Sequence, residues 1–405
     1  MEQIKFLHAA DLHLDSPFVG LKKLPTQIFQ RVMDSTFIAL TNLVDIAIKE
    51  QVDFVILAGD IYDQEDRSIR AQTRLRKEME RLKKAQIEVY IVHGNHDYTN
   101  GSWIDITWPE NVHIFSDETV ECKTYKKEGK ELVNLYGFSY RNRSVRNNMT
   151  DLYNKQGEVK FHIGILHGSS EGQTEHNNYA PFTVRQLIEK DFDYWALGHI
   201  HQRQVLCDNP PIIYPGNTQG RHRKEHGEKG CYLVNLSTTD VSYSFHPTTN
   251  LIWDQLEINI AQLETFEELL NVSYTKFEEI RSRNNGTLLS IEFIGSGPLH
   301  KVLQNEAQLE DFLLIIVDGE EERQDFVWVD KTIVNTSEGI EDKNIAQSPF
   351  LKDLVTMISE FEEYEEVLKP LFSHSQARKY LTEFSEEDIR EIHNEAQKLL
   401  FRELY

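Results

Sequence analysis

The sequence predicts an α/β fold, and three observations carry that prediction. A strand-like run at residues 4–10, a helical period at 26–50 and a second strand at 53–58 follow one another, the order that makes a parallel strand pair. Further apolar runs of strand length recur at 87–92, 160–166 and 192–197. Each run ends at once in His, Asp or Asn, and in α/β sheets the carboxyl ends of the strands converge on one rim, where ligands bind.

A chain of 405 residues can bury a large core and has room for two or three domains. No apolar stretch approaches the roughly 18 residues that span a bilayer, and Met1-Glu2-Gln3-Ile4-Lys5 carries charge where a signal peptide would be apolar. A soluble, cytoplasmic protein with no membrane partner is expected. Cys122, Cys207 and Cys231 are odd in number and unpaired in spacing, which fits a reducing compartment and excludes a thiolate metal site. Any metal must then use nitrogen and oxygen.

The net charge of -23 argues against nucleic acid as a partner when averaged over the chain. Its distribution is uneven. From residue 251 onward there are 33 acidic and 14 basic residues, so that part carries -19 and the first 250 residues only -4. The front part can therefore still present basic patches.

Taken in order, strand 4–10 runs into Asp11-Leu12-His13, whose i and i+2 side chains point the same way in an extended segment and can grip one ion. Ile28, Val32, Ile38, Leu43 and Ile46 give the helical period at 26–50. Strand 53–58 ends in Gly59-Asp60-Ile61-Tyr62-Asp63. Residues 66–85 read as a helix with Ile69, Gln72, Leu75, Met79 and Leu82 inward, and eight of its residues are Arg or Lys. That surface is either a solvated face or one that tracks phosphates. Strand 87–92 hands off to His93-Gly94-Asn95-His96-Asp97.

Residues 112–138 read as shorter strands with a charged hairpin turn from Lys123 to Lys130, and Arg141, Arg143 and Arg146 form a second basic cluster. Strand 160–166 ends in His167-Gly168, and strand 192–197 in Gly198-His199-Ile200-His201. Residues 211–224 form a strand and a Gly-rich loop with a basic end; 231–236 and 241–246 form a closing hairpin. Pro247 to Asn250 and the charge shift mark a boundary near 250. The expected organisation is 1–250, a small α+β module at 251–340, and a helical region at 341–405. In the last, Pro349 suits a first helical turn, and Phe350, Leu354, Met357, Phe361 and Tyr364 make one apolar face. Ser385 with Asp388 resembles a capping box ahead of a second face, Ile389, Ile392, Ala396 and Leu399.

Each ligand-type fragment is common by chance, but the ordered set is not. Asp11, His13, Asp60, Asn95, His167, His199 and His201 are too many donors for one tetrahedral zinc site, whereas two ions sharing a carboxylate need about four each. Asp60 is the natural bridge. The mix of imidazole, carboxylate and amide suits Mn, Fe or Zn better than Mg or Ca.

This order of motifs resembles that of the calcineurin-like metallophosphoesterases. Phe6 to Phe18, with Tyr214-Pro215-Gly216-Asn217, is more narrowly similar to the SbcD-type DNA repair exonucleases, in particular their YhaO-like group. The resemblance covers about residues 1–250, weakens to about 335 and is faint beyond. It implies a four-layer α/β/β/α sandwich with a small capping domain. It also implies that Asp11, His13, Asp60 and His201 hold one divalent ion, and Asp60, Asn95, His167 and His199 the other. His96 would be the catalytic histidine, steered by Asp97, with Asp63 behind the ligands. The implied reaction is in-line attack of a hydroxide held between the ions on phosphorus, with His96 assisting the leaving oxygen.

The resemblance makes DNA the expected substrate, hydrolysed by exonuclease or endonuclease action, and points to Arg70, Arg74, Arg141, Arg143, Arg221 and Arg223 as phosphate contacts. Related sites also cut small phosphodiesters, nucleotides and phosphoproteins, so a metallophosphatase or a small-substrate phosphodiesterase stays open. A different kind of role is a subunit that anchors an ATPase. The sequence lacks a Gly-x-x-x-x-Gly-Lys-Ser/Thr loop, so ATP-driven work would come from a coiled-coil partner resembling SbcC, docked on the C-terminal helices or elsewhere. A homodimer stays open at this stage.

Overall fold

The computed structural model describes residues 2–338 except 22, 64–66, 102, 105 and 172–178; beyond 338 it describes residues 349–359, 361, 364–373 and four isolated positions. The chain divides into two compact units. The first comprises Met1–Asp254, Arg281–Leu289 and Gly319–Asp330; the second comprises Gln255–Ile280, Ser290–Asp318 and Lys331–Tyr405.

The first unit starts with β1 (Gln3–Ala9), α1 (Thr26–Lys49), β2 (Phe54–Ala58), α2 (Ile69–Lys84) and β3 (Glu88–Val92). Parallel pairing of β1 with β2 and of β2 with β3 follows from the helical crossovers. β4 (Val112–Ile114) extends that sheet, and the antiparallel hairpin of β11 (Gly230–Ser237) and β12 (Val241–Pro247) closes its other side. The order is β12-β11-β1-β2-β3-β4. A second six-stranded sheet contains β5 (Glu121–Lys127), β6 (Lys130–Gly137), β7 (Phe161–His167), β8 (Tyr194–Gly198), β9 (Gln204–Asp208) and β10 (Pro211–Tyr214), in the order β5-β6-β7-β8-β10-β9.

The period-2 alternation of strand side chains divides each central strand between two cores. Phe6, Phe54, Ile56 and Val92 point towards Val133, Ile163, Ile165 and Ala196 of the second sheet. Leu7, Val55, Leu57 and Ile91 point the other way, onto Leu40, Leu43, Leu75 and Met79 of the helices. The outer face of the second sheet buries Trp195, Leu197 and Tyr214 with Leu187 of α3 (Val184–Glu189) and with Phe192. These layers make the four-layer sandwich.

Some details differ from the sequence reading. Helix α2 begins at Ile69 under a Ser68 cap whose hydroxyl accepts from the Ala71 amide. Ile69 is exposed there, and Ala71 and Glu78 join Gln72, Leu75, Met79 and Leu82 on the buried face. The hairpin turn narrows to Glu128-Gly129, both at positive φ, so the charged residues on either side lie in paired strands. All three cysteines are free.

A third sheet joins β13 (Leu251–Asn259), β14 (Gly286–Ser296) and β15 (Val327–Ser337). Within the first unit, Leu251, Trp253, Leu288 and Phe326 share a core with Phe18, Leu21, Ile28 and Val32. The second unit holds α4 (Phe266–Arg281), α5 (His300–Gln304) and α6 (Glu306–Ile316), with the Phe312 ring edge-on to Phe266 and Phe293. Helix α7 (Pro349–Ser359) does begin at the proline, and α8 (Tyr364–Ser373) follows. On the expected apolar face Phe350 and Met357 are exposed, while Leu354 and Tyr364 are half-buried. Ser385, Asp388 and Leu399 lie outside the described residues. Among the described residues no helix is long and apolar enough to cross a membrane.

Candidate metal centre

The candidate site forms where β1, β2 and β3 of one sheet and β7 and β8 of the other end together. Past its last paired residue, β1 stays beside β2 through main-chain bonds, Asp11 to Gly59 (3.0 Å) and His13 to Asp60 (3.0 Å). Asp11, His13 and Asp60 all sit at positive φ (53°, 42° and 48°), a conformation that non-glycine residues hold only where surrounding structure enforces it. His199 shares it at 99°. Three motif glycines let the chains meet. A Cβ on Gly94 would overlap Asp60 and His167, one on Gly59 would overlap His167, and one on Gly198 would overlap the Ala58 carbonyl oxygen.

All seven sequence-predicted ligands lie in this cluster. The His13 and His201 Nε2 atoms face each other at 3.0 Å. Asp60 Oδ2 lies 3.8 Å from His13 Nε2 and 3.4 Å from His167 Nε2. Asn95 Oδ1 sits 3.1 Å from His167 Nε2 and 3.0 Å from His199 Nδ1. The Asp11 carboxylate accepts from the His199 amide, 3.1 Å to each oxygen. Three sets of ligand atoms are close enough to share a cation: Asp11, His13 and His201; Asp60, His167 and His199; and His13, Asp60 and His96.

Burial and mutual charge interactions set the protonation of these groups, and a cation would have to displace protons from Asp11 and His167. Burial, reinforced by Arg221 and His201, holds His13 well below the ordinary histidine range, in the neutral form that ligates metals. Burial pushes the Asp11 carboxyl well above its ordinary range. Burial also opposes ionisation of Asp60, but His167, His13 and His96 around it hold its carboxyl well below the usual range. Burial likewise opposes protonation of His167, yet Asp60 and Asp11 raise it to about 9. Two imidazole nitrogens meeting head-on beside two buried carboxylates are a donor set that divalent cations satisfy. The residues fit two ions.

The residues beyond the ligands include both expected and unforeseen partners. Asp63 Oδ1 lies 3.3 Å from His13 Nδ1 and accepts from Arg221. His96 donates its amide to Asp60 Oδ1 (2.9 Å), and its Nδ1 lies 2.9 Å from the Asp63 carbonyl oxygen. Asp97 instead accepts from His93 Nδ1 (2.9 Å) and from the amides of Ile61 (3.0 Å) and Gly94 (2.7 Å). The steering of His96 expected from Asp97 therefore comes, in this geometry, from the Asp63 main chain. Asp97's short side chain is used up in shaping the loop that carries Asn95.

Sequence reasoning missed Glu225, whose Oε1 accepts from His201 Nδ1 at 2.7 Å. Burial opposes its charge, but the His201 hydrogen bond and the positive groups nearby hold its carboxyl well below the usual range. It also missed His8, which bonds Tyr194 Oη (2.9 Å) and the Leu197 carbonyl (3.0 Å) across the two sheets. Among the arginines, Arg70 pairs with Asp15 (3.0 Å) and Asp34 (2.6 Å), Arg74 pairs with Asp34 (3.0 Å), and Arg223 pairs with Asp330. Arg141 and Arg143 are exposed.

Comparison with known proteins agrees with this geometry. Residues 4–203 match the family model of the calcineurin-like phosphoesterases, and residues 253–337 match that of the middle domain of metallophosphoesterase YhaO. Over all 405 residues the chain is 39% identical to an uncharacterized metallophosphoesterase YhaO of Bacillus subtilis, covering 98% of that protein. It is 27% identical to the DNA double-strand break repair protein Mre11 of Sulfolobus acidocaldarius, over 76% of this chain and 80% of that one. It is also 27% identical to the Mre11 of Methanocaldococcus jannaschii, over 66% and 72%. With the full length matched at 39% identity and a two-ion donor set in place, the chain belongs to the YhaO-type family of calcineurin-like metallophosphoesterases, metal-dependent phosphoesterases distantly related to the Mre11 DNA double-strand break repair proteins.

Proposed function

We propose that the protein is a two-metal phosphodiesterase that cuts DNA. Asp11, His13, Asp60 and His201 hold one divalent ion, and Asp60, Asn95, His167 and His199 hold the other, with Mn, Fe or Zn the metals that suit this donor set. The observation that carries the reading is the position of Asp60, within ligand distance of histidines from both sheets. When bound, the two ions supply a nucleophile at neutral pH and offset charge on the phosphoryl oxygens. His96 contributes the proton. A carbonyl oxygen can only accept, so the contact with Asp63 fixes a proton on Nδ1; a second proton on Nε2, in the imidazolium form, is the one given to the leaving oxygen, which leaves the neutral Nδ1–H ring.

DNA as substrate draws support from the relatives named as double-strand break repair proteins and from the exposed Arg141 and Arg143. In this reading residues 1–250 form the nuclease part, 251–340 cap it and contact substrate, and 341–405 offer Phe350, Met357 and Val367 to a coiled-coil ATPase partner. One observation favours a second reading, a metallophosphatase or phosphodiesterase of small or nucleotide substrates: Arg70, Arg74, Arg221 and Arg223 are each committed to a carboxylate of the chain itself. An assay with Mn on single- and double-stranded DNA, beside a generic phosphodiester, separates the two. Cleavage of DNA, weakening steeply with salt, is the expected result. Turnover of the generic ester alone would remove the DNA reading.

A further inference from the structure

His167 and His201, assigned to different ions, are backed differently on their outer sides. His167 Nδ1 lies 3.0 Å from a main-chain carbonyl, that of Ala58. His201 Nδ1 instead hydrogen-bonds the carboxylate of Glu225 at 2.7 Å, whereas His13 Nδ1 has the Asp63 carboxylate 3.3 Å away without a hydrogen bond to it. A carboxylate behind an imidazole fixes its tautomer and raises its basicity as a ligand more than a neutral carbonyl does.

The loop after β10 is built around Glu225. Its Oε2 accepts from the Arg221 amide (2.6 Å) and from Asn217 Nδ2 (2.9 Å), and the carboxylate is almost fully buried, at 7% exposure. The exposed His222 also approaches Oε1, at 3.4 Å. Both oxygens are thus occupied, so the carboxylate is fixed in place before it meets His201. Arg221 extends the arrangement: its amide bonds Glu225 while its guanidinium pairs with Asp63. One residue therefore holds both the carboxylate that accepts from His201 and the one that lies beside His13.

We propose that Glu225 is a positioning residue that fixes His201 through Nδ1 and makes the position formed by Asp11, His13, Asp60 and His201 the tighter of the two metal positions. This rests on the two-ion reading but not on DNA as substrate. Because Glu225 accepts the Nδ1–H hydrogen bond, the Nε2 lone pair of His201 is left facing His13 Nε2, 3.0 Å away, where the ion would sit. Loss of the carboxylate frees the ring to rotate or to adopt the other tautomer, which turns a ready ligand into one that must be reordered at binding.

The test is equilibrium titration of the full-length metal-free protein with Mn2+, read by calorimetry and by the loss of the free-ion electron paramagnetic resonance signal. Wild type should bind two ions with distinct affinities. In Glu225→Ala the tighter class should weaken by about 10- to 100-fold while the weaker class keeps its affinity. Glu225→Gln, whose amide oxygen still accepts from Nδ1, should recover part of that loss. Circular dichroism on the same samples establishes that the variants are folded. Equal weakening of both classes in folded Glu225→Ala, or wild-type affinity at both, would overturn the proposal. So would Glu225→Gln behaving no better than Glu225→Ala. Absence of any two-ion binding by wild type would instead refute the metal reading beneath it.

Discussion

The two sheets contribute to the rim in different ways. The first supplies its groups on turns that its own backbone fixes: Asp11 and His13 are bonded to the chain at Gly59 and Asp60, all three side chains leaving from positive-φ positions. The second supplies imidazoles that depend on its neighbour. His167 reaches the Ala58 carbonyl, and the His199 amide reaches the Asp11 carboxylate. One half of the site is a property of one sheet's local geometry, and the other half exists only while the sheets are in register. The interlayer core and the His8 to Tyr194 and Leu197 contacts hold that register, which links packing far from the rim to chemistry at it.

The largest effect expected from disturbing this division falls on the reaction itself. His96→Ala should lower hydrolysis by about 10²- to 10⁴-fold with metal content unchanged, measured by turnover and elemental analysis; loss of both metals would place His96 among the ligands. The seam comes next. Gly198→Ala forces a methyl against the Ala58 carbonyl oxygen, and since neither side is a flexible side chain it should destabilise by about 1–3 kcal/mol or more. Ion binding should weaken with it, because His199 and His201 follow directly. A folded variant with unaltered stability and ion affinity would show that the seam has slack.

A smaller effect concerns His8. Burial lowers its pKa to about 3, so below about 6.5 the unfolded chain takes up a proton that the folded chain refuses, and stability falls as pH drops from about 6.5 to 3. The slope from this group approaches 1.4 kcal/mol per pH unit at most. His8→Gln cannot protonate, and its thermal midpoint should depend less on pH across that window; an unchanged slope would contradict the assignment. Smallest of all, Arg70→Ala should leave the salt dependence of DNA binding nearly unchanged, because Asp15 and Asp34 already engage that guanidinium. Arg141→Ala should lower the slope by about one counterion if it meets a phosphate.

The sheet-to-rim logic was legible in the sequence because each ligand follows an apolar run, and strand direction delivers such residues to one edge; the extended segment expected at Asp11 and His13 was not found, since both sit at positive φ. The motif glycines were visible too, although the reason for them, the absence of room for a Cβ at the seam, needs three-dimensional contacts. What stayed hidden depends on partners distant in the chain. Asp34 lies 36 residues from Arg70, so Arg70 and Arg74 looked open when both are ion-paired. Glu225 ends no strand; a lone acid within the basic loop Arg221-His222-Arg223-Lys224-Glu225 was its only signal. The resemblance assigns Asp97 to His96, whereas its carboxylate meets His93, four residues earlier.

In the proposed ligand assignment Asp60 is the one side chain given to both ions, so its removal is the most direct test of a two-ion centre assembled by two sheets. Metal content and phosphodiester turnover should be measured on wild type and Asp60→Ala, each shown to be folded. Two ions per chain in wild type, and loss of at least one ion together with all turnover in the variant, are the predicted results. An Asp60→Ala protein that keeps both ions and wild-type turnover would contradict the shared centre.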